Sequence, residues 1–158
     1  MKLNITANYI LGFVDAEGMF GLIVQKGGGP TGNKFSLEFK VTQKLASILV
    51  LETIKEYFGC GRIAIDNRAD GTMKYVVTDI ASIVGVIIPF FLANQLLTSK
   101  YLNFKDFVRM ASIIESKAHL TLEGAQSLIL IYSGMNNKRT WLDKYIFMST
   151  HVIVITGG

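Results

Sequence analysis

Residues 34–43 read Lys-Phe-Ser-Leu-Glu-Phe-Lys-Val-Thr-Gln, an unbroken alternation. Successive side chains of a strand point to opposite faces, so Phe35, Leu37, Phe39 and Val41 share one face and Lys34, Ser36, Glu38, Lys40 and Thr42 share the other. This restricts the fold. A strand with one dry face and one wet, mostly cationic face belongs to an antiparallel sheet that helices cover on one side only. A strand of a doubly covered parallel sheet is apolar throughout. Met19–Lys26 is a second strand-like run, joined to the first by the glycine-rich loop Gly27–Asn33. Arg62–Asp66 and Thr72–Thr78 make another hairpin around Asn67-Arg68-Ala69-Asp70-Gly71. There Ile63, Ile65, Tyr75 and Val77 are expected to face the core. Arg62, Ala64, Asp66, Lys74, Val76 and Thr78 are expected to face outward.

Helical patterns separate and follow the hairpins. Asn4 or Thr6 can cap an opening helix whose apolar face is Tyr9, Ile10, Phe13 and Val14. Gly12 and Ala16 lie four apart, so one strip of this helix is small enough for another helix to approach closely. The helix ends on Asp15, Glu17 and Gly18, with Gly18 placed for a left-handed cap. Acids at a helix C-terminus oppose the helix dipole, and a divalent cation would compensate for that. Leu45–Phe58 is amphipathic and stops at Gly59 or Gly61. Asp79 caps a buried helix that kinks or stops at Pro89. A further helix runs from Ser99 or Lys100 to about Lys117, with Phe104, Phe107, Val108 and Ile114 inward. Thr121 caps a last one ending near Gly134. The class is α+β and the order is αββαββα plus two helices.

The chain has 158 residues, the size of one domain with a short tail. Half of it is hydrophobic and the mean hydropathy is +0.38. The longest apolar stretch, Ile80–Leu92, falls short of the roughly 20 residues a membrane span needs. No secretory signal is visible at the N-terminus. A net charge of +4 and a pI of about 9.2 favour a polyanionic partner. Cys60 is the single cysteine, which excludes an intrachain disulfide and a cysteine-based zinc site. It sits in a Gly-Cys-Gly turn and is read as structural. His119 and His151 have no partner at ligand spacing, and Trp141 is read as packing for the tail.

Ile10-Leu11-Gly12-Phe13-Val14-Asp15-Ala16-Glu17-Gly18 resembles the signature of the LAGLIDADG homing endonucleases. The Glu-Gly-Met-Phe continuation, Val41-Thr42-Gln43-Lys44 and Leu97-Thr98-Ser99-Lys100 follow in family order. Residues 1–137 thus look like one complete domain of that family, and 138–158 form a tail of uncertain structure, with an added strand, a dimer contact and an artefact as its three readings. The serine often found after the final glycine is Met19 here. The resemblance implies the LAGLIDADG fold, with its four-stranded antiparallel sheet as a DNA-binding saddle.

It also implies residue roles. Glu17 becomes a metal and catalytic ligand, with the backbone carbonyl of Ala16 beside it. Gln43 positions water or metal, Lys100 stands near the scissile phosphate, and Asp15 buttresses the helix ends. The saddle readers by position are Gln25, Lys34, Ser36, Glu38, Lys40, Arg62, Asp66, Arg68 and Lys74, with Ile23 and Val76 set to meet thymine methyls. Outward positions that are apolar or small, such as Gly21 and Ala64, leave open that something else covers part of the face. The implied metal is Mg²⁺, with Mn²⁺ or Ca²⁺ as substitutes for binding. The implied partners are double-stranded DNA and a second copy docked through Gly12, Phe13 and Ala16. A single motif means a homodimer and a nearly palindromic target, unless the chain is half of a longer protein. The alternative is a non-cleaving relative such as a maturase on intron RNA, or a transcription regulator. A third reading is a purely structural domain. Many such relatives are encoded by organelle introns, which favours an organelle, a mitochondrion ahead of a chloroplast.

Overall fold

The computed structural model describes residues 4–135. The tail 138–158, with Trp141 and His151, lies outside the described residues. So does the expected domain boundary at 137.

Helix α1 (Ala7–Glu17) starts at Thr6, whose side chain accepts from the Tyr9 N–H at 3.1 Å. It runs without a loop into β1 (Gly18–Lys26), which turns back through Gly27–Gly32 into β2 (Asn33–Lys44). A short 3₁₀ turn, Leu45–Ser47, precedes α2 (Ile48–Phe58), so the helix expected from Leu45 begins three residues later. Gly59 ends α2 in the left-handed conformation (φ 72°). The second hairpin is β3 (Arg62–Asn67) and β4 (Thr72–Val77). Pairing is antiparallel throughout, in the order β1-β2-β4-β3.

The apolar run after Asp79 is helical in three parts: α3 (Ile80–Ser82), a π-helical turn at Ile83–Ile87, and α4 (Ile88–Ala93). Asp79 caps it, accepting from the Ser82 N–H at 2.8 Å. Pro89 does not stop it: α4 runs on to Ala93 with the proline in its first turn. Proline lacks an N–H and its ring crowds the carbonyl four residues back. The wider π turn, in which the Ile88 N–H reaches the Ile83 carbonyl, lies just ahead of it. Helices α5 (Lys100–Glu115) and α6 (Leu122–Ser133) follow, and Thr121 caps α6 by accepting from the Gly124 N–H.

Helices cover the sheet face that carries Phe20, Leu22, Leu37, Phe39, Val41, Tyr75 and Val77, all buried. Phe20 sits at the centre of an aromatic cluster, with ring centroids 5.1–5.6 Å from Phe39, Phe91, Phe104 and Phe107. The Cys60 turn is structural as expected: the Tyr75 hydroxyl donates to the Cys60 carbonyl at 2.8 Å. Two side chains keep the expected side of the sheet but not the expected environment. Ile65 is 46% exposed, because it lies on the edge strand β3 beside an irregularity of pairing at Ile65–Asn67. Val76 points to the wet face but is 1% exposed, so it is not free to meet a thymine methyl. Among the described residues no helix is long and apolar enough to cross a membrane.

Candidate active site and nucleic-acid interface

The site forms where α1 ends. Gly18 is extended (φ −82°, ψ 163°), which corrects the expectation of a left-handed cap. A left-handed residue would turn the chain aside, whereas here the helix passes directly into the central hairpin. Glycine is still required, for room: a Cβ would stand 2.6 Å from the Val14 Cγ1 and 2.8 Å from the Val14 carbonyl oxygen. The tight passage leaves Glu17 exposed at the helix–strand junction. The Val14 carbonyl accepts from the Gly18 N–H, whereas the Ala16 carbonyl, at the end of the helix, has no helical N–H ahead of it to accept from.

Asp15 and Lys100 tie this end to α5. The Asp15 carboxylate accepts from the Leu97 N–H (2.8 Å), the Thr98 N–H (3.2 Å) and the Thr98 hydroxyl (2.6 Å). The Thr98 Oγ1 accepts in turn from the Lys100 N–H at 3.2 Å. The Lys100 ammonium donates to the Val14 carbonyl at 3.1 Å. Burial holds Lys100 below the ordinary lysine range, while the charges of Asp15 and Glu17 pull it back up. Lys100 thus meets the last turn of α1, which ends on Glu17, although 83 residues separate the two in sequence. Gln43 stands at the neighbouring strand end: Gly18 pairs with Val41, and Gln43 is two residues further along β2. The buttressing expected of Asp15 is thus visible. The sequence did not reveal Leu97 and Thr98 as its targets, since backbone donors carry no side-chain signature.

The donors suit a hard cation. Glu17 and the last-turn carbonyls are oxygens at the negative end of a helix dipole, the kind of ligand that Mg²⁺ takes. They make only part of a donor set. Among the described residues no group of three or more histidines, cysteines or carboxylates is placed to hold a metal, and Asp15 is already engaged. Beside them α1 offers its small strip to solvent. Gly12 and Ala16 are exposed, and a Cβ on Gly12 would meet nothing within 4 Å. Phe13 flanks the strip, partly buried and stacked on Tyr9.

The wet face of the sheet carries the saddle positions in register. Gln25 pairs with Lys34, Ile23 with Ser36, Gly21 with Glu38, and Lys74 with Thr42 and Ala64. Arg68 stands in the turn between β3 and β4. Four of these side chains are paired with one another: Lys40 with Asp66 at 2.9 Å and Lys74 with Glu38 at 3.7 Å. Gln25, Lys34, Arg62 and Arg68 are exposed.

A saddle-shaped pattern of cations behind an acidic helix end defines a class, and sequence comparison gives it a family. The family model described as LAGLIDADG endonuclease matches residues 10–111. The chain belongs to that family. A curated relative, probable intron-encoded endonuclease 2 of Neurospora crassa, is 33% identical over 129 residues, covering 81% of this chain and 27% of its own length. The I-LtrWI LAGLIDADG homing endonuclease bound to target DNA superposes with a TM-score of 0.83 at 30% identity, over 89% of this chain and 47% of that one. The meganuclease I-SmaMI bound to uncleavable DNA gives 0.82 at 34% identity, over 87% and 46%. I-SmaMI has also been solved on uncleaved target in the presence of calcium ions. The chain spans about a quarter of the curated relative's length and just under half of these solved chains.

Proposed function

We propose that the chain is one half-site unit of a homing endonuclease that cuts both strands of a long DNA target in a divalent-metal-dependent reaction. The observation that carries this reading is the Lys100 ammonium bonded to the Val14 carbonyl in the last turn of α1, the turn that ends on Glu17, where the chain passes into a sheet whose wet face carries exposed cations. When bound, Mg²⁺ supplies charge neutralisation at the scissile phosphate and a water of lowered pKa. Glu17 and the Ala16 carbonyl would hold it. Gln43 orients water at the edge of the site, and Lys100 faces the phosphate with a charge that α1 has fixed in place. Lys34, Ser36, Arg62, Arg68 and Gln25 take the groove and its phosphates, together with Glu38, Lys40, Asp66 and Lys74.

One chain offers one Glu17, so the competent unit contains two motif helices packed along Gly12, Phe13 and Ala16. We assign the second to another copy of the chain, which makes the target nearly palindromic. The coverage of just under half of the solved relatives supports two such units per enzyme. It also favours a second reading, in which a longer polypeptide carries both. Light scattering separates them: a homodimer has twice the mass of 17.5 kDa, and a monomer on DNA refutes it. The non-cleaving maturase reading has less support, because the relatives bear endonuclease names and Glu17 and Lys100 are both intact. The intron-encoded relative favours synthesis in an organelle, a mitochondrion ahead of a chloroplast.

The test is cleavage of a randomised target library with Mg²⁺, against Glu17→Gln. The wild type should enrich one cut sequence; the variant should bind it with Ca²⁺ present and leave it whole. Equal cleavage by both would sink the catalytic assignment.

A further inference from the structure

Resting on the DNA-binding reading above, one feature of the saddle goes beyond it. Val76 is 1% exposed yet lies on the wet face, opposite Lys40 on one side and Arg62 on the other. It is not part of the packed core beneath the sheet. The sheet order β1-β2-β4-β3 means that Lys40, which starts beside Val76 on β2, must cross β4 to reach Asp66 on β3. Lys74 leaves β4 in the opposite direction, towards Glu38 on β2. All four side chains are at most 23% exposed. The middle of the saddle is therefore charge-neutral and closed by its own ion pairs, and the free cations stand around it.

We propose that Glu38 and Asp66 are specificity-determining residues, which withhold Lys40 and Lys74 from DNA until the groove presents replacements for both partners. A phosphate can attract either lysine, but it leaves the carboxylate unpaired and facing like charge. A base pair that shows acceptors beside an amino group satisfies both. In the major groove a G·C pair does so: guanine O6 and N7 accept from the ammonium and cytosine N4 donates to the carboxylate. A mismatched groove thus meets an intact ion pair and gains nothing from either lysine. The carboxylates lower affinity for the bulk of DNA and so raise discrimination.

The test uses the full chain and a fluorescent random-sequence duplex, with Ca²⁺ in place of Mg²⁺, titrated by anisotropy over a range of KCl. Glu38→Gln and Asp66→Asn should each tighten non-cognate binding by roughly 3- to 10-fold at low salt and steepen the salt slope by about 0.9 for each lysine released. Asp66→Glu, which can rebuild the pair with Lys40, should return non-cognate affinity and its salt slope to the wild-type values. Glu115→Gln on α5 makes the same charge change away from the saddle and sets the baseline. If the two saddle variants bind no tighter than that baseline, or more weakly, the acids are not a filter and the inference falls while DNA binding stands. If the wild type shows no salt-dependent affinity for any duplex, the underlying reading and this inference fall together.

Discussion

Replacing Asp15 by alanine probes the joint on which the site depends. The carboxylate accepts three bonds, from Leu97 N–H, Thr98 N–H and the Thr98 hydroxyl, at 2.6–3.2 Å. Bonds to a charged acceptor contribute about 1.5–3 kcal/mol each when buried. Here the receiving segment is open to water, with Leu97 85% exposed, so the released donors are rehydrated. The neutral-bond figure of about 1 kcal/mol apiece is the better guide, which gives about 2–3 kcal/mol in total. For a domain of this size that lowers the melting temperature by roughly 4–12 °C.

The functional consequence is separate from the stability loss. Asp15 fixes Thr98, Thr98 receives the Lys100 N–H, and Lys100 reaches the Val14 carbonyl. If Lys100 serves the reaction as proposed, Asp15 acts on it through Lys100. The assay is a double-mutant cycle on single-turnover cleavage, run well below the melting point of the weakest variant. Asp15→Ala and Lys100→Ala should each slow cutting, and the double variant should be no slower than Lys100→Ala alone, since residues in one network do not act additively. Multiplicative losses, or an Asp15→Ala protein that melts within about 1 °C of wild type, would refute the chain of contacts.

Two other outcomes follow from the same coordinates. Gly124→Ala should be among the most damaging single-methyl additions in the chain, because the new Cβ would overlap the Ala118 carbonyl oxygen, a backbone atom of the 3₁₀ turn Ala118–Leu120 ahead of α6; a loss of about 3 kcal/mol or more in urea unfolding is expected, above the usual overpacking cost, and an unchanged unfolding midpoint would refute the close approach of that turn to Gly124. Lys100 gives a pH dependence of unusual sign. Its folded pKa lies below the unfolded value of 10.5, so the unfolded chain binds more protons between the two. Stability attributable to Lys100 therefore rises with pH across that window. Wild type measured against Lys100→Met should gain between neutral pH and pH 10.5, and a difference that stays flat or falls would contradict the burial.

Where the sequence was legible, one physical pattern decided the matter locally. The alternation at Lys34–Thr42 placed each side chain on the correct face of β2, because both faces of that strand carry a consistent signal over many residues. On the second hairpin the same reasoning placed Val76 correctly by direction and wrongly by environment. It lies between Lys40 and Arg62 on the neighbouring strands, 36 and 14 residues away, and no period relates them. Ile65 failed for the complementary reason: an edge strand with irregular pairing has too little neighbouring surface to bury an apolar side chain. Gly18 was recognised as necessary, but its task is close approach to Val14 and not a left-handed turn.

The catalytic end shows the same division more sharply. Glu17 stands out in the sequence because acids at a helix C-terminus are locally unfavourable and so imply a compensating interaction; the structure leaves it exposed at that end. Lys100 carries no such mark, as a lysine at the start of a helix is ordinary. What makes it part of the site is the cost of its burial against the Val14 carbonyl, which Asp15 and Glu17 partly offset. That cost has a use. In the proposed dimer, the ammonium held by the Val14 carbonyl stands at the end of α1 where the second Glu17 would arrive, so the charge that the two acids bring together would be partly neutralised before any metal binds. Bringing the two α1 helices together should therefore be harder for Lys100→Met than for wild type, with Glu17→Gln in the same background restoring it. A Lys100→Met chain that pairs as tightly as wild type in a light-scattering dilution series would leave Lys100 with a role at the phosphate alone.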